Sequence, residues 1–401
     1  VDYKKINGKI MNFYINKKIL QKVENIVKND GFEKDFTYHY IYIVSHIRMY
    51  RYLNRKFMYE EFVPIKINYL RNCISYNNAH IFIKNLIDAG VLETDNHFIQ
   101  GRKAKGYKIT KMYLEDKFFL VPINDKRLLT KLQKLRKINI ERVYLEGYGY
   151  KYVTKFMEEL SIDKTKALQL IEKTILEEGH KKNCYKSMVE VFDQKFATVD
   201  EKAKRLHNNL TNLGGSLRQF LSYKSKKIEG IDIKSSQPMF LYFKLKKDFN
   251  VEKKEMDKYL DLVLNKGFYE FFAKKLNFKL TVDNRKDFKI AMFSKVLFDR
   301  NRKTENKYVK IFKKEFPAIY YCIYLIKQKD HTEMALSLQR LESSFIFDAV
   351  ERIAKQHSIP LFTIHDSIST TEGNINKVLK IVEEDFIIKY GLTPKLHTEK
   401  Y

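Results

Sequence analysis

Two aspartates are the residues best placed to do chemistry. Asp232 lies in Glu229-Gly-Ile-Asp-Ile-Lys-Ser-Ser-Gln-Pro238 and Asp366 in Leu361-Phe-Thr-Ile-His-Asp-Ser-Ile-Ser369. Each ends or interrupts a short β-branched run, which predicts that both sit beside backbone at a sheet. A buried carboxylate needs a partner. The nearby cation is Lys234, which strand alternation puts on the face of Asp232 but close to solvent. Brought together, two such carboxylates make a site for hard divalent cations, the geometry that phosphoryl transfer by two metal ions requires.

The elements that must position them are also readable. Ile228 to Ile233 reads as a strand, and Ser235 with Pro238 as a helix start, with Ser capping and Pro near the first turn. Asp232 is then expected at a strand end beside a helix N-terminus, a place suited to metal and phosphate. Thr363 to Ser369 alternates as a tight hairpin with His365 and Asp366 at its tip. Between them Arg285, Lys289 and Phe293 recur every four residues, so two cations and one ring share a helix face. The alternative for the two cations is a solvated helix face in a Lys-rich protein.

These three segments, in this order, resemble the motifs of the single-subunit nucleic-acid polymerases, the group of family A DNA polymerases and phage-type RNA polymerases. Asp232 with Gln237 resembles the first palm motif, Arg285, Lys289 and Phe293 the fingers helix, and His365-Asp366-Ser367 the third motif. The resemblance spans about Arg205 to Thr371. It implies an α+β right-hand fold with an antiparallel palm sheet and helical fingers and thumb. It further implies that Asp232 and Asp366 bind two Mg²⁺ ions, with Mn²⁺ possible. Arg285 and Lys289 would hold the triphosphate, Lys289 neutralising the leaving pyrophosphate, and Phe293 would stack on the base. In the same way Arg205 would read the minor-groove edge at the primer end, and His365 would position that end. Glu342, with Gln339 competing for the role, would place a polar side chain near the nascent base pair. For Arg205 the alternative is a plain helix-to-turn segment. Glu342 and Gln339 could instead be exposed residues on a helix whose period is set by Leu338, Leu341 and Phe345.

Three positions depart from the family pattern. Gln237 stands where a Glu usually excludes the ribose 2′-hydroxyl, Ser294 where Gly is common, and Leu297 where Tyr is frequent. Ser367 matches the phage-type RNA polymerases, while the DNA polymerases tend to carry Glu there. Sugar choice therefore stays open between dNTP and NTP.

Upstream, Asn68 to Ile74 and Asn78 to Gly90 read as two short helices around a Ser-Tyr-Asn-Asn turn, with Gly90 as a C-terminal stop. Val91-Leu-Glu-Thr and Gly106-Tyr-Lys-Ile flank a basic loop containing Gly101-Arg-Lys-Ala-Lys105. This order resembles a winged helix-turn-helix domain, which implies that the second helix and the wing touch duplex DNA; a small adaptor domain with a solvated loop is the alternative. From Asp125 to Ser225 the chain is helical and basic, with Lys126 to Lys137 and Lys164 to Lys186 at helical spacing, as a thumb would be. The organisation expected is a winged-helix domain over 1–120, a thumb-like region over 121–228, and palm with fingers over 229–401.

Charge agrees. Lys plus Arg number 76 against 49 Asp plus Glu, a net charge of +27, which favours a polyanionic partner, nucleic acid ahead of anionic membrane. No apolar run is long enough to span a membrane and no signal peptide is evident, which points to the cytoplasm. Cys73, Cys184 and Cys322 are isolated, against disulfides and a structural zinc site. The expected function is a template-directed DNA polymerase of a phage or mobile element. It would act as a monomer on primer-template and dNTPs, without proofreading, with an accessory replication protein possible. The alternatives are an RNA polymerase or primase on the same palm, and a non-catalytic DNA-binding replication initiator.

Overall fold

A computed structural model describes residues 11–53, 62–174, 180–301 and 305–401. The chain divides into two compact units. The first holds Val1–Arg142, Ser161–Phe196 and Asn212–Phe220; the second holds Val143–Leu160, Ala197–Thr211 and Leu221–Tyr401. The expected thumb-like region 121–228 is thus shared between units, because the chain passes between them several times. Of the expected 1–120 domain, residues 1–10 and 54–61 lie outside the described residues, as do 175–179 within the Lys164 to Lys186 stretch.

In the first unit, strand Asn12–Ile15 pairs antiparallel with Phe119–Pro122. Fully buried Asn16 caps helix Lys17–Asn29, its side chain accepting from the Ile19 amide at 2.8 Å. Helices Ile67–Cys73 and Ala79–Asp88 follow, then strands Leu92–Thr94 and Gly106–Ile109, which form a three-stranded antiparallel sheet with Val63–Pro64. These bounds differ from the sequence reading by a residue or two, and Gly90 takes the left-handed φ of 71° that a helix stop needs. Phe82, buried on the second of these helices, meets the rings of Phe32, Phe36 and Tyr40. Lys126–Leu145, Lys164–Thr174 and His180–Glu190 are helical.

In the second unit, strand Lys226–Ile233 is central. Ser367–Thr371 and Leu396–Lys400 flank it antiparallel, and Leu361–Ile364 pairs beyond Ser367–Thr371. Ile231 and Ile233 are buried while Asp232 between them is half-buried, as alternation on a pleated strand demands. Helices Glu333–His357 and Ile375–Tyr390 pack on this sheet, and Ser236–Asp248 packs on Glu333–His357. Phe240, Phe243, Phe345, Phe386 and Tyr390 form the aromatic seam among the three, with Phe243 stacked on Tyr390 at 4.0 Å. Helix Val282–Met292, started by a reciprocal Thr281–Asn284 capping box, runs on into a π-helical turn over Phe293–Phe298.

Helix Tyr148–Met157 lies against Glu333–His357 without space for a side chain at Gly149, where an added Cβ would stand 2.5 Å from the Phe347 carbonyl oxygen. The neighbouring rings of Tyr150 and Phe347 stack at 3.6 Å. Backbone cannot yield as a long side chain can. Gly149→Ala is therefore expected to destabilise by roughly 1–3 kcal/mol, against the small gain that Ala brings to an open helix position. Urea denaturation checks this; an unchanged midpoint would show that the helices slide apart freely.

Candidate active site

The register of the sheet places the two aspartates. Asp232 is directly opposite Ser367, so Asp366, one residue earlier in the hairpin turn, lies beside it. His365 makes that turn with a φ of 54°, a conformation rare outside Gly and Asn. Both aspartates are half-buried. Burial, and then the charge of Asp366, raise the Asp232 carboxyl from 3.8 to about 7, while Lys289 opposes the rise. The three groups therefore sense one another, although their positions in the chain are far apart. Lys234 is exposed and lies past the strand end, so the cation that balances Asp232 is Lys289 and not Lys234.

The helix start also departs from expectation. Ser235 adopts a left-handed conformation with φ 56° and its side chain makes no capping bond to helix Ser236–Asp248. Ser236 is the serine that works: its hydroxyl reaches Asp366 Oδ2 at 2.8 Å and Glu342 Oε2 at 3.3 Å. Glu342, only 1% exposed, is the hub of a polar network. It accepts from the Gln237 amide at 2.6 Å and forms an ion pair with the Arg205 guanidinium. Burial raises its carboxyl, and the charge of Arg205 opposes that rise. The expectation of an exposed helix residue is thus excluded for Glu342.

Arg205, Gln237, Lys289, Phe293, His365 and Asp366 line one cavity of about 280 Å³, with Gln339 and Glu342 in the same wall. Asp232 is not among the residues that line it. Arg285 does not reach it: its guanidinium is paired to Glu270 at 2.5 Å and sits 5.6 Å from the Tyr269 ring centroid. Lys289 Nζ lies 5.3 Å from the same ring, and Phe293 meets Tyr269 edge-on at 5.7 Å and stacks on Phe298 at 6.1 Å. Tyr269, Glu270, Phe298 and Ser236 were not expected at the site. Ser236 is indistinguishable from Ser235 by residue type, and only the left-handed backbone at Ser235 separates them. Tyr269 was concealed in Phe268-Tyr-Glu-Phe-Phe272, one aromatic run in a chain with 27 Tyr and 29 Phe.

Among the described residues no group of three or more His, Cys, Asp or Glu is arranged to hold a metal ion. The donors present are two coupled carboxylates, one held near neutrality by burial and repulsion. That set fits Mg²⁺, which keeps most of its waters and is held by one or two carboxylates with substrate phosphates completing the shell.

No family model matches the chain and no curated protein matches it. Among solved structures it is similar to the POL domain of Pol1 from M. smegmatis in complex with DNA primer-template and dNTP. The identity is 13%, over 67% of this chain and 65% of that one, with a TM-score of 0.41. The chain thus spans less than two thirds of that structure, and a likeness of this extent assigns no residue role.

Proposed function

We propose that this chain is a template-directed nucleotidyltransferase that extends a primer with dNTPs. The observation that carries the reading is that Asp366 and Lys289 line one cavity with Phe293 and Gln237, while Asp232, opposite Ser367 in the sheet, responds to the charges of both. Two carboxylates suit divalent cations, and the lysine suits substrate phosphates. Bound there, Mg²⁺ would lower the pKa of a primer 3′-hydroxyl and stabilise the leaving pyrophosphate. The chain's own groups supply the rest. Asp232 and Asp366 hold the cations, Ser236 fixes the Asp366 carboxylate, Lys289 neutralises phosphate charge, and Phe293 offers a face to the base. His365 and Arg205 stand toward the primer end, Arg205 being oriented by Glu342. Arg285 contributes to the triphosphate only on leaving Glu270.

In this reading the second unit supplies palm and fingers in a right-hand arrangement, helices of the 121–228 region act as thumb, and the N-terminal winged-helix-like segment contacts nucleic acid. A mobile-element or phage setting, action as a monomer in the cytoplasm and an accessory replication protein belong to the same proposal. Among the described residues no helix is long and apolar enough to cross a membrane.

One observation favours a second reading, RNA synthesis. The Gln237 side chain donates its amide to Glu342, while its buried carbonyl oxygen has no partner among the described residues. An acceptor at that position suits a ribose 2′-hydroxyl. The discriminating assay supplies Mg²⁺, a primed DNA template and either dNTPs or NTPs. Extension with dNTPs supports the first reading, products with NTPs alone support the second, and neither, with template still bound, leaves a DNA-binding initiator.

A further inference from the structure

The first unit contains a larger cavity, of about 780 Å³, between helix Ala79–Asp88 and the loop that joins strands Leu92–Thr94 and Gly106–Ile109. Its walls are apolar: Ile65, Ile83, Ile87 and Tyr107 below, Phe98 and Ile99 from the loop. Its rim is cationic, with Lys66, Lys84, Arg102, Lys103 and Lys105 contributed by different elements, and no acidic residue among those that line it. Lys103 is held by Asp95 and Lys105 by Asn96. Lys66, Lys84 and Arg102 are exposed.

The loop is built to hold this shape. Asp95 gathers the amides of His97 and Gly106 and the Lys103 ammonium at the loop base. Gly106 lies so close beneath that an added Cβ would be 2.8 Å from the Asp95 carboxylate and 2.5 Å from the Phe62 Cβ. Thus anchored, the loop presents Phe98 at 60% and Ile99 at 42% exposure. Two large apolar side chains held in water on a braced loop, facing an apolar floor, are a cost that a bound apolar partner removes.

We infer that this groove binds unpaired nucleotides of a single-stranded nucleic acid, with bases against Phe98 and the isoleucine floor and backbone phosphates on the lysine and arginine rim. An unpaired strand offers both chemistries at base-sized spacing. A duplex keeps its base faces covered by stacking, so it can reach the rim but leaves the floor empty. The inference refines the expected duplex contact of this region and stands on the first unit alone, independently of the nucleotidyl-transfer reading.

The test uses the full chain and fluorescence anisotropy with a short labelled DNA strand, the same sequence as a blunt duplex, and an acidic amphipathic peptide. Phe98→Ala, at an exposed position, is expected to weaken single-strand binding roughly tenfold and leave duplex binding unchanged. Lys84→Ala and Arg102→Ala are each expected to lower the slope of log affinity against log salt by roughly 0.7. A strand carrying 4-thiothymidine is expected to crosslink to the peptide containing Phe98 or Tyr107, which separates this groove from the nucleotidyl-transfer site whether or not the chain incorporates nucleotides. The inference fails if Phe98→Ala binds single strands like the unaltered chain, if crosslinks fall only outside residues 62–109, or if the acidic peptide displaces the strand from wild type and binds equally well to Lys84→Ala.

Discussion

Asp232→Asn and Asp366→Asn are each expected to cut nucleotide incorporation by roughly a thousandfold or more, about 4 kcal/mol of transition-state stabilisation, while leaving the chain folded. The accompanying stability change separates a catalytic carboxylate from a structural one. Burial and the charge of Asp366 raise the folded Asp232 carboxyl to about 7 from 3.8, so between those values the folded state holds the extra proton. Without metal, stability conferred by this protonation is present in acid and falls as pH rises through that window, because above it the folded protein carries two repelling carboxylates. Asp232→Asn removes the repulsion. The variant is expected to melt higher than the unaltered chain at about pH 8 without divalent cation, and to lose the decline in melting temperature across the window. Mg²⁺ is expected to raise the melting temperature of the unaltered chain at about pH 8, less as protons compete near pH 6, and not that of a chain carrying both Asp232→Asn and Asp366→Asn. A variant less stable than wild type in alkaline, metal-free buffer would instead mark Asp232 as a structural partner.

What the sequence displays and what it conceals follow from the kind of information each signal carries. Alternation in Ile228 to Ile233 and the four-residue step from Arg285 to Phe293 depend on local geometry, and the segments take the strand and helix they spell, the helix passing into a π-helical turn at Phe293. The turn at His365 and the stop at Gly90 are likewise local. Periodicity names a face; it does not name the group across from that face. Arg285 and Lys289 share a face, yet Glu270 takes the guanidinium and leaves Lys289 at the cavity. Nothing near Arg205 in sequence identifies Glu342 as its partner. Ser235 and Ser236 are indistinguishable by type, and only the left-handed backbone at Ser235 decides which hydroxyl meets Asp366. Composition and local motifs follow the order of the chain, whereas the chain's repeated passage between the two units is a tertiary property.

The pair of Arg205 and Glu342 carries the second large effect. Glu342 is 1% exposed on helix Glu333–His357 and the Arg205 side chain is 19% exposed, so the carboxylate depends on that guanidinium for compensation. Arg205→Ala leaves the carboxylate, among the described residues, the Gln237 amide and the Ser236 hydroxyl, and is expected to destabilise by about 3–5 kcal/mol. Because burial already raises the Glu342 carboxyl, loss of Arg205 raises it further, so the destabilisation is expected to shrink as pH falls and Glu342 takes a proton. Adding Glu342→Gln removes the charge while keeping an acceptor, and Arg205→Ala with Glu342→Gln is expected to recover most of the loss in chemical denaturation. Activity then divides two roles that stability alone merges. If Arg205 serves only to neutralise Glu342, incorporation returns with stability in the double variant. If its guanidinium also touches the primer end, stability returns and incorporation does not, with the deficit appearing as weaker primer-template binding and not in the KM for nucleotide.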